Sequence, residues 1–196
     1  MSDADDIPLF PLGTVLFPGG LLPLRIFETR YMDMAKACLR DGTPFGVCLI
    51  RAGREVGSPA EPEPVGCLAR IVDWDMQQLG LLLVTAVGDE RFRILEHRVE
   101  ASGLARVRIE RLPADADSPI PPELAACPRL LERVIAEHGT GTFAEPHRLD
   151  SASWVGCRLA EILPVPITAR QKMMELDDAL ARLGILHKVL VQHRLG

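Results

Sequence analysis

The chain contains 196 residues, of which 47% are hydrophobic, and it carries a formal net charge of −5. This length and hydrophobic content suffice for a buried core, either in one large domain or in a domain with an appended subdomain. The acidic balance disfavours sequence-independent nucleic-acid binding, because that function normally requires a basic surface.

The segment from Ser2 to Asp6 is acidic, whereas an export signal begins with a basic region followed by a long apolar core. The longest apolar run, around Leu81 to Val84, is far shorter than the roughly 20 residues that cross a bilayer. We therefore expect a cytoplasmic protein without a membrane partner.

The five cysteines form no CxxC pair and lie in apolar runs, so we expect buried, reduced thiols rather than a metal or redox site.

The first apolar segment combines apolar residues with prolines and glycines. The prolines favour strand starts, edges and turns over a helix, and the glycines supply positions for tight turns. These features predict a strand over Ile7 to Leu12, an apolar reversal at Phe17 to Gly20, and a second strand over Leu21 to Phe27 that leads into a helix. We assign Phe10 and Phe27 to the core.

Residues 32–40 contain good helix formers, and Asp41-Gly42 predicts the end of this helix. A short apolar run from Phe45 to Ile50 has the length of a strand. Residues 51–64 are rich in Gly, Pro and Glu, which predicts a flexible surface loop. From Val65 to Ile71 apolar residues recur at every second position, which indicates a half-buried strand.

Further strand patterns follow. The segment Leu79 to Val87 is apolar on both faces, as in a central strand, and alternation returns at Phe92 to Ile94 and at Ala105 to Ile109. Gly88-Asp89 joins the first two segments either as a two-residue hairpin turn or as a glycine bulge in one long bent strand. Several strands separated by frequent turn signals predict a closed or nearly closed barrel.

The polar segment from Pro113 to Pro119 separates the predicted strands from a helical region. We therefore expect a β-barrel subdomain over residues 1–113 and a helical subdomain over residues 119–196, which together give an α+β fold. In the helical region, Asp150 or Ser151 can cap a helix that carries Trp154.

The next predicted helix has a clear start signal, because Thr168 and Gln171 have the spacing of a capping box. An apolar stripe follows at three- and four-residue steps until Gly184, which predicts its end; the stripe consists of Met173, Leu176, Leu180 and Leu183. A last short helix is predicted over Ile185 to Arg194.

Short motifs recur in an order that can be compared with known families. They are Pro11-Leu12, Val15 to Gly19 (VLFPG), Leu22 to Leu24 (LPL) and Arg30-Tyr31, followed by Val65 to Ile71 and Gly88 to Ile94. In this order they resemble the N-terminal, substrate-recognition domain of the Lon proteases, and the likeness spans most of the chain. The resemblance implies a PUA-like pseudo-β-barrel for the N-terminal part.

The motifs of the catalytic modules of a Lon protease are missing from this sequence. It contains no GxxxxGK[ST] loop for phosphate binding and no GxSxG elbow, and it ends at Gly196. No two histidines stand at the i, i+4 spacing of a helical metal site. We therefore expect a module that is not an enzyme and that uses neither a cofactor nor a metal.

Arginines between Arg91 and Arg111 interleave with carboxylates, which predicts outward cross-strand ion pairs rather than a basic track for RNA. Aromatic residues are few, so base stacking has little support. Nucleic acid is therefore disfavoured as a partner.

Apolar residues near the first turn are the candidates for a binding surface: Leu12, Val15, Phe17, Pro18, Leu21 and Leu22. If they lie at the barrel mouth, they form an exposed patch of the kind that marks a partner site; otherwise they fill the barrel core. Glu28 and Arg30 follow the second strand, and they either frame that patch or pair with each other.

We expect a non-catalytic protein-binding module that recognises unfolded or exposed apolar polypeptide segments, as an adaptor or as a mild ATP-independent chaperone. The alternative is a small-ligand or RNA-binding protein that uses the barrel groove, as PUA-like folds can. A separate protease as the recipient of the bound polypeptide, and self-association of the chain, both stay open at this point.

Overall fold

The computed structural model describes residues 5–58, 60–116 and 118–194. The contacts divide the chain between Leu112 and Pro113 into two compact units. In the described part of the first unit, the elements are β1 Asp5–Leu12, β2 Leu21–Ile26, α1 Thr29–Asp41, β3 Phe45–Ala52, β4 Glu61–Pro62, β5 Val65–Gln78, β6 Leu81–Val99 and β7 Ala105–Arg111. The second unit contains α2 Ala126–His138, α3 Ala152–Ile162, α4 Ile167–Glu175 and α5 Ala179–Gln192, with short 3-10 turns at Pro122–Leu124 and Thr140–Thr142. The α+β class is confirmed.

Strands of the first unit close into a barrel, as predicted. Strand β1 pairs in parallel with β3 and antiparallel with β7, and the antiparallel pairs β3–β5, β5–β6 and β6–β7 complete the ring. Alternate residues point inward and fill the interior. One buried cluster in the barrel contains Leu9, Leu68, Phe92, Val107 and Ile109.

Strand β6 runs through Gly88 without interruption, so of the two alternatives the bend in one long strand is correct. Its first half pairs with β2 over residues 82–87, and its second half pairs with β7 over residues 92–99. The register between β6 and β5 shifts between Cys67 and Ala69 of β5, and Ala69 pairs with Gly88. Gly88 therefore marks the point at which β6 bends and exchanges one neighbour for another.

The turn at residues 17–20 packs against this bend through backbone contacts. Gly19 N–H donates to Gly88 O at 2.7 Å, and Gly88 N–H donates to Gly20 O at 2.9 Å. Gly19 has a φ of 71°, so this is a glycine-type bulge with its first residue in the left-handed region. A Cβ on Gly88 would lie 2.1 Å from Phe17 O, which makes glycine necessary on the opposite strand as well.

Ion pairs connect the strands on the outer surface of the barrel, as the interleaved charges predict. Asp6 on β1 binds Arg98 at 2.7 Å and Arg106 at 2.9 Å. Further pairs are Arg93–Glu110, Arg108–Glu96, Arg111–Asp5 and Arg111–Glu90. Arg91 departs from the expected outward alternation, because it is buried in the segment that follows the bend.

In the second unit, Ser151 caps α3 by accepting a hydrogen bond at 3.2 Å from the N–H three residues later, which selects one of the two predicted caps. The predicted capping box is wrong. Helix α4 begins at Ile167, directly after its N-cap residue Pro166, which is two residues too early for Thr168 to act as the cap. Gln171 is buried within this helix instead of reaching back to its start.

The predicted apolar stripe is divided between two helices. Helix α4 ends at Glu175, and the Asp178 carboxylate then caps α5 by accepting from Ala181 N–H at 2.9 Å. Helix α5 continues through Gly184, so the predicted end at that glycine is also wrong.

Arg182 holds the break between α4 and α5. Its Nε donates to Met173 O at 2.8 Å, and a second nitrogen donates to Leu176 O. Its Nη1 forms an ion pair with Asp115 Oδ2 at 2.6 Å, and both side chains are almost fully buried. One guanidinium therefore satisfies carbonyls at the end of a helix together with a buried carboxylate.

Replacing Gly88 by Ala is expected to lower the free energy of unfolding by about 3 kcal/mol, because the added Cβ would displace the backbone at Phe17. Gly184→Ala is the matched control, since nothing lies within 4 Å of its added Cβ, and it should stabilise the chain by about 0.5–1 kcal/mol. Chemical denaturation of both variants measures these values. A Gly88→Ala variant as stable as the parent chain would contradict the close contact.

Replacing Arg182 by Met is expected to cost about 3–5 kcal/mol, because the Asp115 carboxylate loses its buried counterion. Adding Asp115→Leu to this variant removes the second charge and should restore much of the lost stability. Thermal and chemical denaturation of the parent, the single variant and the double variant provide the comparison. A double variant less stable than the single variant would argue against an uncompensated charge as the cause.

The Arg98 guanidinium, assisted by Arg106, holds the pKa of the Asp6 carboxyl below its usual value, against the opposing effect of partial burial. The lowered pKa stabilises the folded chain at pH values above the pKa that Asp6 has in the unfolded chain. This stabilisation is lost as the pH falls through the pKa that Asp6 has in the folded chain. Asp6→Asn should therefore cost less than about 1 kcal/mol at neutral pH, and the difference should shrink progressively as the pH falls below the usual carboxyl pKa of about 4. Denaturation across this pH range, with the exposed Asp33→Asn as control, tests the sign.

Candidate functional site

The residues predicted to form an exposed patch are placed very differently by the fold. Leu12, Val15, Phe17 and Leu22 are buried, and Phe17 exposes 0% of its surface. The reason is the contact between the turn and Gly88, which directs these side chains inward. Of the two placements left open by the sequence, these four residues therefore adopt the one in the core. Pro18 is half-buried, and Leu21 is 36% exposed.

A groove of about 300 Å³, here called the β2 groove, lies beside strand β2. One wall is the continuous run from Leu22 to Glu28. The opposite side consists of Phe10, Leu12, Thr14, Tyr31, Glu55 and Val56. The groove therefore brings together three of the predicted site residues, Leu12, Leu22 and Glu28.

Two exposed apolar side chains stand at this groove. Phe27 is 58% exposed and Val56 is 56% exposed, so the assignment of Phe27 to the core is wrong. A local signal could have placed it correctly, because Leu21, Pro23 and Arg25 point outward and Phe27 continues their two-residue period. Sequence reasoning gave more weight to the hydrophobicity of Phe27 than to its position.

Aromatic rings form the floor of the β2 groove. Phe10 and Tyr31 stack with their centroids 3.9 Å apart and an interplanar angle of 17°. The Arg30 guanidinium lies 4.6 Å from the centroid of the Tyr31 ring. Burial raises the pKa of the Tyr31 hydroxyl, with Glu28 and Glu55 adding to the shift and Arg30 opposing it. The floor is thus an uncharged aromatic surface at neutral pH.

Arg30 is a positioning residue, and its side chain is only 8% exposed. It pairs with Glu28 at 2.9 Å, which realises one of the two roles predicted for this pair. Its terminal nitrogens donate to Gly57 O at 2.8 Å and to Gly103 O at 2.9 Å. Arg30 therefore fastens the segment that carries Val56 to the start of α1.

The segment predicted as a surface loop has fixed contacts beside the groove. Residues 51–58 are exposed, as expected, but Glu55 accepts a hydrogen bond from Gly13 N–H, and Arg30 holds Gly57. Residues 61–62 form β4, which pairs with β3. The loop thus forms a defined part of the side of the groove opposite β2.

A second apolar surface lies on the arm formed by the end of β5 and the start of β6. Its exposed residues are Val72, Trp74, Met76 and Leu79, and Leu79 is 94% exposed. Sequence reasoning missed this surface because the alternation in β5 was followed only to Ile71, whereas the strand extends to Gln78. Exposed apolar residues in this number mark a contact surface.

The described residues contain no group of three or more His, Cys, Asp or Glu side chains arranged to hold a metal ion. All five cysteines are free and buried, as predicted. None of the described helices has the length and apolar character needed to cross a membrane.

Comparison with known proteins identifies a family. The sequence model described as the ATP-dependent protease La (LON) substrate-binding domain matches residues 6–192. A Lon protease of Anaeromyxobacter dehalogenans is 27% identical over 96% of this chain and 23% of its own length. Protein cereblon of Gallus gallus is 28% identical over 55% of this chain and 24% of its own length. The chain spans about a quarter of the length of these relatives.

Solved structures agree with this match. The crystal structure of a Lon N-terminal domain protein from Xanthomonas campestris has a TM-score of 0.77 and 37% identity, and the match covers 93% of this chain and 96% of that one. The N-terminal domain of a Mycobacterium avium complex Lon protease has a TM-score of 0.66 over 96% of this chain and 100% of its own. At 16% identity, the second structure supports the fold alone.

Proposed function

We propose that this chain, which belongs to the family of substrate-binding domains of the ATP-dependent protease La (Lon), binds unfolded or exposed apolar polypeptide segments. The observation that carries this proposal is the β2 groove, with its aromatic floor and the exposed Phe27 and Val56 beside it. An apolar groove with exposed aromatic and aliphatic residues offers a client segment surface to bury.

The contact would be weak and driven by buried apolar area. Burial contributes roughly 25 cal/mol per Å² before the costs of association and ordering are subtracted. A segment that buries only Phe27 and Val56 is therefore expected to bind transiently rather than tightly. This suits an adaptor that passes a polypeptide to a separate protease, or a mild ATP-independent chaperone.

Catalysis forms no part of this proposal. Most of the side chains that line the β2 groove are apolar, Glu28 is paired with Arg30, and Glu55 accepts a hydrogen bond from Gly13 N–H. Small-ligand or RNA binding is the alternative. RNA binding is disfavoured, because the arginines on the outer face of the barrel are paired with carboxylates. This pairing reduces the positive charge available for phosphates.

Phe27→Ser is expected to weaken the binding of a fluorescein-labelled, reduced and carboxymethylated α-lactalbumin by about tenfold, because Phe27 supplies exposed apolar area at the groove. Leu95→Ser is the matched control, since Leu95 is also exposed but lies outside the groove. Fluorescence anisotropy at low and high salt gives the affinities. Apolar binding should persist in high salt, whereas RNA binding should fall steeply.

Two results would count against the proposal. If the parent chain binds no unfolded protein at either salt concentration, recognition of apolar segments is excluded. If Phe27→Ser and Leu95→Ser weaken binding equally, the contact surface lies outside the β2 groove.

A further inference from the structure

The outer edge of strand β2 carries main-chain groups without a neighbouring strand. Among the described residues, β2 pairs with β6 and with no other strand. Because Gly88 N–H donates to Gly20 O, the two-residue period places the bonded positions of β2 at Leu22, Leu24 and Ile26. The backbone N–H and C=O groups of Leu21, Pro23 and Arg25 therefore point away from β6.

The position of Pro23 agrees with this assignment. Proline lacks an N–H group and is found in strands where that group would face away from the sheet. The outer edge thus presents N–H groups at Leu21 and Arg25 and C=O groups at Leu21, Pro23 and Arg25. No described backbone hydrogen bond outside the strand ladders uses any of these groups.

Cavities flank this edge on both faces of the sheet. The β2 groove lies on the face that carries Leu22, Leu24 and Ile26. On the other face, a cavity of about 480 Å³ adjoins Pro23 and Arg25. Cross-strand pairing places Asp73 opposite Thr85 and Asp75 opposite Leu83, which in turn face Pro23 and Arg25.

We propose that an extended polypeptide segment adds to the outer edge of β2 as an additional strand, with apolar residues toward the β2 groove and polar residues toward the exposed face that carries Leu21, Pro23 and Arg25. This inference rests on the proposed function and specifies its binding mode and sequence preference. Successive side chains of a strand point to opposite faces, so a segment that alternates apolar and polar residues fits both sides of the edge.

Two complementarities select this occupant. Outward N–H and C=O groups along a strand are matched by the main chain of another strand, which gives affinity without a fixed side-chain sequence. The β2 groove beside this edge offers apolar surface to alternate side chains of the segment, which is the second complementarity.

The test uses a fluorescein-labelled peptide that alternates Val and Lys, measured by anisotropy. Pro23→Ala supplies a new outward N–H group and should tighten binding by about fivefold. Arg25→Pro removes an outward N–H group and should weaken binding by about fivefold relative to Arg25→Ala, which loses the same side chain but keeps the N–H.

Modified peptides test the same hydrogen bonds with the parent chain, so the result does not depend on the folding of Arg25→Pro. One peptide is N-methylated at every Lys and another at every Val. Only one edge of an added strand faces β2, so only one of the two peptides should lose binding. Loss with methylated Lys indicates antiparallel addition, and loss with methylated Val indicates parallel addition.

Each other outcome overturns the inference. If unfolded α-lactalbumin binds but Pro23→Ala, Arg25→Pro and both methylated peptides behave like their controls, strand addition is wrong and the proposed function survives. If the two methylated peptides are equally affected, the main chain of the segment does not pair with β2. If the parent chain binds neither α-lactalbumin nor the Val-Lys peptide, both proposals fail together.

Discussion

The contact between Gly88 and the turn at residues 17–20 is the constraint on which the β unit depends. Two reciprocal backbone hydrogen bonds, at 2.7 and 2.9 Å, join the turn to the bend in β6. The carbonyl of Phe17 approaches Gly88 so closely that no other residue fits there. On one side of this point β6 pairs with β2, and on the other it pairs with β7. The bend thus separates the closed barrel from a flanking three-stranded region.

This separation explains why an edge is left beside a groove. A barrel has no free edges, and β1, β3, β5, β6 and β7 satisfy one another around the ring. Strand β2 lies outside the ring and keeps one edge without a strand partner among the described residues. Arg30 then brings the segment around Gly57 toward the same region, which turns an edge into a walled groove. The same local geometry therefore generates both the core and the candidate site.

Much of the β unit could be predicted from sequence because its signals are local. Proline placement, glycine pairs and two-residue alternation located β1, β2 and the start of β5 without long-range information. The burial of Phe17 could not be predicted in this way, since it depends on Gly88, which is distant in the chain. The same holds for Arg182, whose partners Asp115 and Met173 meet only in the folded helical unit.

Other errors came from the choice between competing local signals. Asp178 is a good cap, yet the apolar stripe across it favoured one continuous helix. Gly184 was a plausible helix end, but packing of Leu183 and Leu186 keeps α5 helical through it. At the candidate site, Leu21, Pro23 and Arg25 point outward and their two-residue period continues to Phe27, whereas hydrophobicity alone placed Phe27 in the core. Position in the strand was the better guide for this residue.

The presence of Pro23 at the centre of the outer edge has a physical logic. An open, fully donating edge would pair with identical edges of other molecules and promote aggregation, and proline is one of the devices that prevent this. Pro23 removes one donor but keeps its carbonyl, so an incoming strand can still bond at Leu21 and Arg25. Under the proposed strand addition, the edge therefore holds a segment without forming a long ladder. The proposed function also requires release of the bound polypeptide, and a weakened edge suits that requirement better than a complete one.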